Sequence, residues 1–221
     1  MAGYKVISFD KIASTQTYAH NLIARGAAGN CVAVIANTQT AGHGRYKRRW
    51  VSKPGNLYVS FIFNDTARNP RLSYAVAVAV AETLITLGAR ATIKWPNDIL
   101  IDGKKICGIL IEYNNDFVVV GIGINITSCP DVEKYQTAKL ADYCNASRAD
   151  VMKCLMKNLD VWRGADFKAV RERWTELAAG LNGDVLYRGA PAKLIGINDD
   201  GALILRRDDV DVVVFGDEIS L

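Results

Sequence analysis

Residues 40–50, TAGHGRYKRRW, place Gly42 and Gly44 on either side of His43 and follow them with Arg45, Lys47, Arg48 and Arg49 before Trp50. Glycine lets a backbone approach a ligand closely or take positive φ, and arginine carries a planar fork of donors that matches carboxylate and phosphate. A phosphate-binding P-loop is excluded because no Gly-Lys-Ser/Thr ending follows, and the spacing is not that of a dinucleotide fingerprint. The residue types alone leave three readings: a clamp for an anionic group on a small molecule, a nucleic-acid contact, and a solvated basic loop. Trp50 fits a base-stacking platform or partial core.

Three further stretches carry polar or bare positions. In KWPNDIL (94–100), Lys94, Asn97 and Asp98 flank a rigid proline, and the Asn97 amide offers both a donor and an acceptor to a nucleotide. Ordinary turn residues are the competing reading. DGKKICGILIE (102–112) sets Lys105 before an apolar strand, where an ammonium suits charge on phosphate or carboxylate, and Gly108 inside that strand, which calls for a bulge or a close ligand approach. In GIGIN (121–125), Gly121 and Gly123 leave one strand face without side chains, room for a flat apolar ligand or for tight backbone packing, and Asn125 closes the strand. No Ser-His-Asp or Cys-His arrangement is evident, and Cys31 and Cys107 read as core.

The elements that must position these residues follow from patterning. Strands are predicted at 4–9, 31–36 and 56–63, and a helix over 15–25 is capped by Ser14 or Thr15. The alanine-rich stretch between Pro70 and Gly88 is apolar nearly all round; Glu82 interrupts it, so it reads as a buried helix and not a membrane span. KICGILIEY and FVVVGIGINI form a hairpin, residues 130–149 are irregular or weakly helical, and helices follow at 150–160 and 166–178. From residue 182 the pattern changes to short strands, and the charge changes with it. Acidic residues outnumber basic ones eight to four over 184–221, while 1–183 carry net +8 of the overall +4. A larger domain over 1–181 and a small β barrel over 182–221, packed on it, are expected.

Composition bounds the rest. Half of the 221 residues are hydrophobic and 23% are charged, the mark of a globular protein, and a net charge of +4 does not establish a nucleic-acid binder. Five cysteines without a C-x-x-C pair, and only His20 and His43, leave no zinc cluster and no resident metal site. Reduced thiols and the lack of an export signal predict a cytoplasmic protein with no membrane partner.

Taken in order, STQT (14–17), NTQTAGHGRYKRRW (37–50), GNLYVSFIF (55–63), KWPNDILIDGKKICGILIE (94–112), GIGIN (121–125) and the terminal FGDEISL (215–221) resemble the biotin protein ligase family over nearly the whole chain. The resemblance implies formation of biotinyl-5′-adenylate from biotin and Mg²⁺-ATP, then transfer of biotin to one lysine of a biotin carboxyl carrier protein. It implies an α+β fold, a mixed β-sheet flanked by helices, with a small carboxy-terminal SH3-like β barrel. The first catalytic strand begins within a few residues of Met1, so the amino-terminal DNA-binding domain of some members is expected to be absent, and with it any specific nucleic-acid partner. The resemblance implies either a monomer or a homodimer, since the family includes both.

Carried over by position, the resemblance assigns Ser14, Thr15, Gln39, Gly42, His43, Arg45, Lys105, Gly108, Gly121 and Gly123 to biotin, and Arg45, Arg48, Trp50, Asn97, Lys105 and Asn125 to the nucleotide. Arg45 and Lys105 are the catalytic cations, and Asp98 is a conceivable proton acceptor for the carrier lysine. One departure stands out: the family usually has Gly-Arg-Gly-Arg where this chain has Gly42-His43-Gly44-Arg45, which predicts slower adenylate formation or looser retention. Lipoate-protein ligase or octanoyl transferase, on a related core, and a non-enzymatic nucleic-acid module are the alternatives.

Overall fold

The structure, a computed structural model, describes residues 3–215 and 219–221; Gly216, Asp217 and Glu218 of the terminal motif lie outside the described residues. β-Branched and aromatic runs form β1 (Lys5–Ile12), β2 (Val32–Gln39), β3 (Leu57–Asn64), β4 (Ala91–Lys94), β5 (Asp98–Ile101), β6 (Lys104–Asn114) and β7 (Phe117–Ile124). They make one sheet in the order β1-β2-β3-β7-β6-β5-β4. Only β1 and β2 run parallel, and a parallel pair needs a crossover, which α1 (Thr15–Ala24) supplies. Ser14 caps α1, its side-chain oxygen accepting from the Thr17 N–H at 3.3 Å.

Because side chains alternate along a strand, the sheet has two different faces. Val59, Phe61, Val120 and Ile122 join a core with α2 (Leu72–Thr86), α3 (Arg148–Gly164) and α4 (Phe167–Leu177). Burial all round fits α2 to this helical layer, and its one charge, Glu82, pairs with Arg173 of α4 at 2.5 Å. On the opposite face, Val32, Val34, Ile62 and Val119 pack against Ala19 and Ile23 of the short α1. Two residues along β7 from Val119 come Gly121 and then Gly123, on that same face. The sheet therefore carries a helix over one half of this face and glycine over the other.

Residues from Asp184 onward form β8 (Asp184–Tyr187), β9 (Ala190–Ile197), β10 (Leu203–Arg207), β11 (Val210–Val214) and β12 (Ile219–Ser220), a second sheet in the order β11-β10-β9-β8-β12. The expectation of an SH3-like barrel is corrected here: the sheet is open. Closure requires the two outer strands to pair, but among the described residues β12 is Ile219–Ser220 and pairs only with Tyr187 and Leu186 of β8. β11 lies at the far edge, with Val210, Val212 and Val213 exposed. The second sheet shares its core with the first; Leu194, Leu203 and Leu205 belong to the buried cluster that holds α2, and the Tyr74 hydroxyl donates to the Gly201 carbonyl at 2.6 Å. Among the described residues no helix is long and apolar enough to cross a membrane.

Candidate active site

The glycine half of the sheet face floors a cavity of about 890 Å³, within the range of small-molecule sites. Register sets the floor: Tyr58 of β3 pairs with Gly123 of β7, Gly123 with Gly108 of β6, and Gly108 with Asp98 of β5. One row across four strands thus runs from a tyrosine over two bare positions to a carboxylate. The next row pairs Ser60 with Gly121 and Gly121 with Leu110. Cys107, beside Gly108, is fully buried in the helical core, and burial pushes its thiol well above the usual range, so it is inert.

The N-terminus of α1 makes the neutral polar end of the cavity. Gln39, the last residue of β2, accepts from the Thr15 N–H at 2.8 Å through its side-chain oxygen, with the Thr15 hydroxyl at 3.1 Å, and donates to Ser52 at 3.0 Å. Ser14, Thr15, Gln16, Gln39 and Ser60 all line this end.

The other end is cationic. Residues 42–50 fold back on themselves: the Gly44 N–H donates to the Arg48 carbonyl at 2.8 Å, the Trp50 N–H donates to the Gly42 carbonyl at 2.9 Å, and His43 bridges Arg49. The turn is strained, with Tyr46 at φ 55° and Lys47 at φ 56°, a region that non-glycine residues rarely adopt. This geometry sends Arg45 to Asn97, whose side-chain oxygen accepts at 3.3 Å, and sets the guanidinium groups of Arg45 and Arg48 over the Tyr46 ring. Asn97 in turn donates to the Ile109 carbonyl at 2.8 Å. Lys105 Nζ pairs with Asp98 Oδ1 at 2.7 Å, a charge contact without hydrogen-bond alignment, and lies 5.6 Å from the Trp50 ring and 5.2 Å from the Tyr135 ring.

Of the residues predicted from sequence, Ser14, Thr15, Gln39, His43, Arg45, Arg48, Trp50, Asn97, Lys105, Gly108, Gly121 and Gly123 line the one cavity. Gly42 and Asn125 do not. A Cβ on Gly42 would lie 2.8 Å from Gln39 Nε2 and 3.0 Å from the Trp50 carbonyl, so this glycine serves closure of the hairpin. Asn125 is buried behind the floor, where its side chain donates to the Ala138 carbonyl at 3.1 Å. Sequence reasoning missed Gln16, Ser60 and Tyr135. Gln16 stood inside the quoted STQT stretch, and its polar side chain on a helix face that otherwise packs on the sheet was the available signal. Among the described residues no group of three or more His, Cys, Asp or Glu side chains is placed to hold a metal ion.

A neutral hydrogen-bonding end and a cationic end, joined over a glycine floor, describe a site for an organic acid whose carboxylate is brought to a phosphate. The sequence pattern of the Biotin/lipoate A/B protein ligase family matches residues 8–126, and the chain belongs to that family. The bifunctional ligase/repressor BirA of Bacillus subtilis is 30% identical, over 99% of this chain and 74% of that protein. The biotin--[acetyl-CoA-carboxylase] ligase of Paracoccus denitrificans is 32% identical, over 78% of this chain and 83% of that protein. The solved structure of biotin protein ligase from Aquifex aeolicus in complex with biotin and ATP matches with a TM-score of 0.83 at 26% identity, over 98% of this chain and 97% of that one.

Proposed function

We propose that the protein is an ATP-dependent ligase that forms biotinyl-5′-adenylate and transfers biotin to a lysine of a biotin carboxyl carrier protein. The observation that carries this reading is that one cavity is lined by Thr15 and Gln39 and also by Arg45 and Lys105. The ureido ring of biotin meets the first pair and its carboxylate reaches the second, its apolar chain running between them alongside Gln16, which covers Gly121, and the Trp50 indole, which covers Gly123. ATP occupies the cationic end near Trp50, Asn97 and Arg48 and arrives as its Mg²⁺ complex, with the metal on the phosphates.

The first step is attack of the biotin carboxylate on the α-phosphorus, with pyrophosphate leaving. The nucleophile is already ionised, so the step needs screening of negative charge and in-line placement in preference to a base. Arg45 supplies a fork-shaped donor set, and Lys105 trades part of its pairing with Asp98 for the incoming anions. In the second step the carrier lysine amine attacks the mixed anhydride; the amide bond forms, the bond from the biotin carbonyl carbon to phosphate oxygen breaks, and AMP leaves. The amine must lose a proton, and Asp98, once Lys105 turns to the phosphate, is the carboxylate at hand. In this reading residues 1–181 are the catalytic unit, the open edge of β1 is where a second copy would pair, and the five free cysteines fit the cytoplasm.

The test is transfer. Incubated with Mg²⁺-ATP, biotin and a biotin carboxyl carrier domain, the protein should add one biotinyl group to the carrier, and none when the acceptor lysine is changed to arginine. Lipoyl transfer without biotinyl transfer would move the substrate to the other acid of the family.

A further inference from the structure

The polar end of the cavity is ordered by a chain of hydrogen bonds that starts outside it. One terminal atom of the Gln16 amide lies 2.9 Å from Glu112 Oε2 and 3.3 Å from the Val119 carbonyl oxygen. Both neighbours accept, so that atom is the nitrogen, and Gln16 Oε1 faces Ser60. Ser60 Oγ lies 2.9 Å from Gln16 Oε1 and 2.9 Å from Thr15 Oγ1. A hydroxyl has a single proton. Gln16 Oε1 has none to give, so Ser60 donates to it, and Thr15 must be the donor in any bond to Ser60. The Thr15 proton then goes to Ser60 or to Gln39 Oε1 at 3.1 Å. Either way it is held within the chain, and Thr15 Oγ1 offers the cavity only lone pairs.

Glu112 anchors this polarity without lining the cavity. With the Asn114 amide donating to His20 Nδ1 at 3.2 Å, the His20 Nε2–H points at Glu112 Oε2, 2.9 Å away. The carboxylate thus receives donors from both sides and has none to return.

We infer that Glu112 is a positioning residue that, through Gln16 and Ser60, fixes Thr15 as a hydrogen-bond acceptor and so selects acids whose neutral head carries N–H donors over acids whose head is hydrocarbon or disulfide. The inference rests on the biotin reading and deepens it: the ureido ring has the N–H groups such an acceptor requires, and a residue remote from the ligand sets the direction of the bond.

Two substitutions test it. Glu112→Gln replaces one of the two acceptors that orient the Gln16 amide and leaves the Val119 carbonyl, so it loosens the chain, whereas Gln16→Met removes the acceptor facing Ser60 and frees the Ser60 and Thr15 protons to reverse. Steady-state pyrophosphate release by the full chain with biotin and Mg²⁺-ATP should show the biotin KM raised about tenfold in Gln16→Met and about threefold in Glu112→Gln, with kcat and the ATP KM within about twofold. The double variant should be no worse than Gln16→Met alone, since both cut one chain. Thermal melts accompany the kinetics, and if one variant does not fold the other decides. An unchanged biotin KM, or a parallel loss in kcat, ATP KM and melting temperature, overturns the inference. Wild-type protein without biotin-dependent pyrophosphate release sinks the biotin reading and this inference together; wild-type turnover with unaltered variants sinks this inference alone.

Discussion

The indole of Trp50 lies across the Gly108–Gly123 cross-strand pair: a Cβ on Gly123 would come within 2.6 Å of its Cε2, and one on Gly108 within 2.9 Å of its Cζ3. The bare floor is therefore shaped to a flat ring, and one of the protein's own rings rests on it. Trp50 Nε1 is buried without a hydrogen-bond partner among the described residues, so the indole is held there by apolar contact and by the nearby Lys105 cation.

Gly123→Ala should displace the indole and leave the sheet intact, because a ring at the end of a side chain yields more readily than paired backbone. The melting temperature should stay within about 4 °C of wild type, the shift of roughly 1 kcal/mol in a chain this size. Tryptophan emission should move to the red, and biotin-dependent pyrophosphate release should fall at least about tenfold, since the methyl group also occupies the floor. Unchanged emission with unchanged turnover would show that the floor is not a ligand surface.

Lys105→Met should cut the rate of adenylate formation about a hundredfold or more, the usual scale for removing a donor from developing charge. Its partner separates the two steps: Asp98→Asn should leave pyrophosphate release nearly intact while slowing transfer to the carrier lysine. Rapid-quench measurement of both products distinguishes them, and equal slowing of both steps by Asp98→Asn would remove the proton-acceptor role.

His43 lines the cavity with its Nδ1 3.3 Å from the Ala41 carbonyl, at the place where arginine is usual in the family it resembles. His43→Arg should lower the biotin KM or lengthen the lifetime of the bound adenylate. If neither changes in a filter-binding chase, the shorter side chain costs the enzyme nothing.

Glu112 should also appear in the pH dependence of stability. The hydrogen bond from His20 lowers its carboxyl below the ordinary value against the opposing effect of burial, and the bond from Gln16 adds to the lowering. A depressed folded-state value means a stabilising contribution that is full above the unfolded carboxyl's titration and is lost as pH falls through the folded one. Thermal melts of wild type should therefore lose more on going from neutral to acidic buffer than melts of Glu112→Gln. Parallel curves would show that the pairing does not contribute to stability.

What the sequence made legible is local. Ser14 before an apolar helix, the hairpin of β6 and β7 around residues 115 and 116, and the alternation of glycine with isoleucine in β7 each follow from neighbours a few positions apart, and each was found. What it concealed is distant or conformational. Gln16 and Glu112 are 96 residues apart, and only the packing of α1 on the sheet joins them. The basic stretch reads equally as a solvated loop until positive φ at Tyr46 and Lys47 folds it onto Asn97. Gly42 and Gly44 look alike in sequence, yet Gly42 is packed against Gln39 and Ser52, whereas at Gly44 a Cβ would meet only the Arg48 carbonyl at 4.0 Å. The short carboxy-terminal strands signalled β structure correctly, but whether their outer strands pair depends on strand length, and two-residue β12 was not distinguishable from its surroundings.

The most direct measurement is biotin-dependent pyrophosphate release by the purified protein with Mg²⁺-ATP, with mass detection of the acyl-adenylate. Biotinyl-5′-adenylate should form with biotin, and no acyl-adenylate with lipoate or octanoate. Turnover with lipoate or octanoate alone, or no adenylate from any of the three acids, would contradict a biotin ligase.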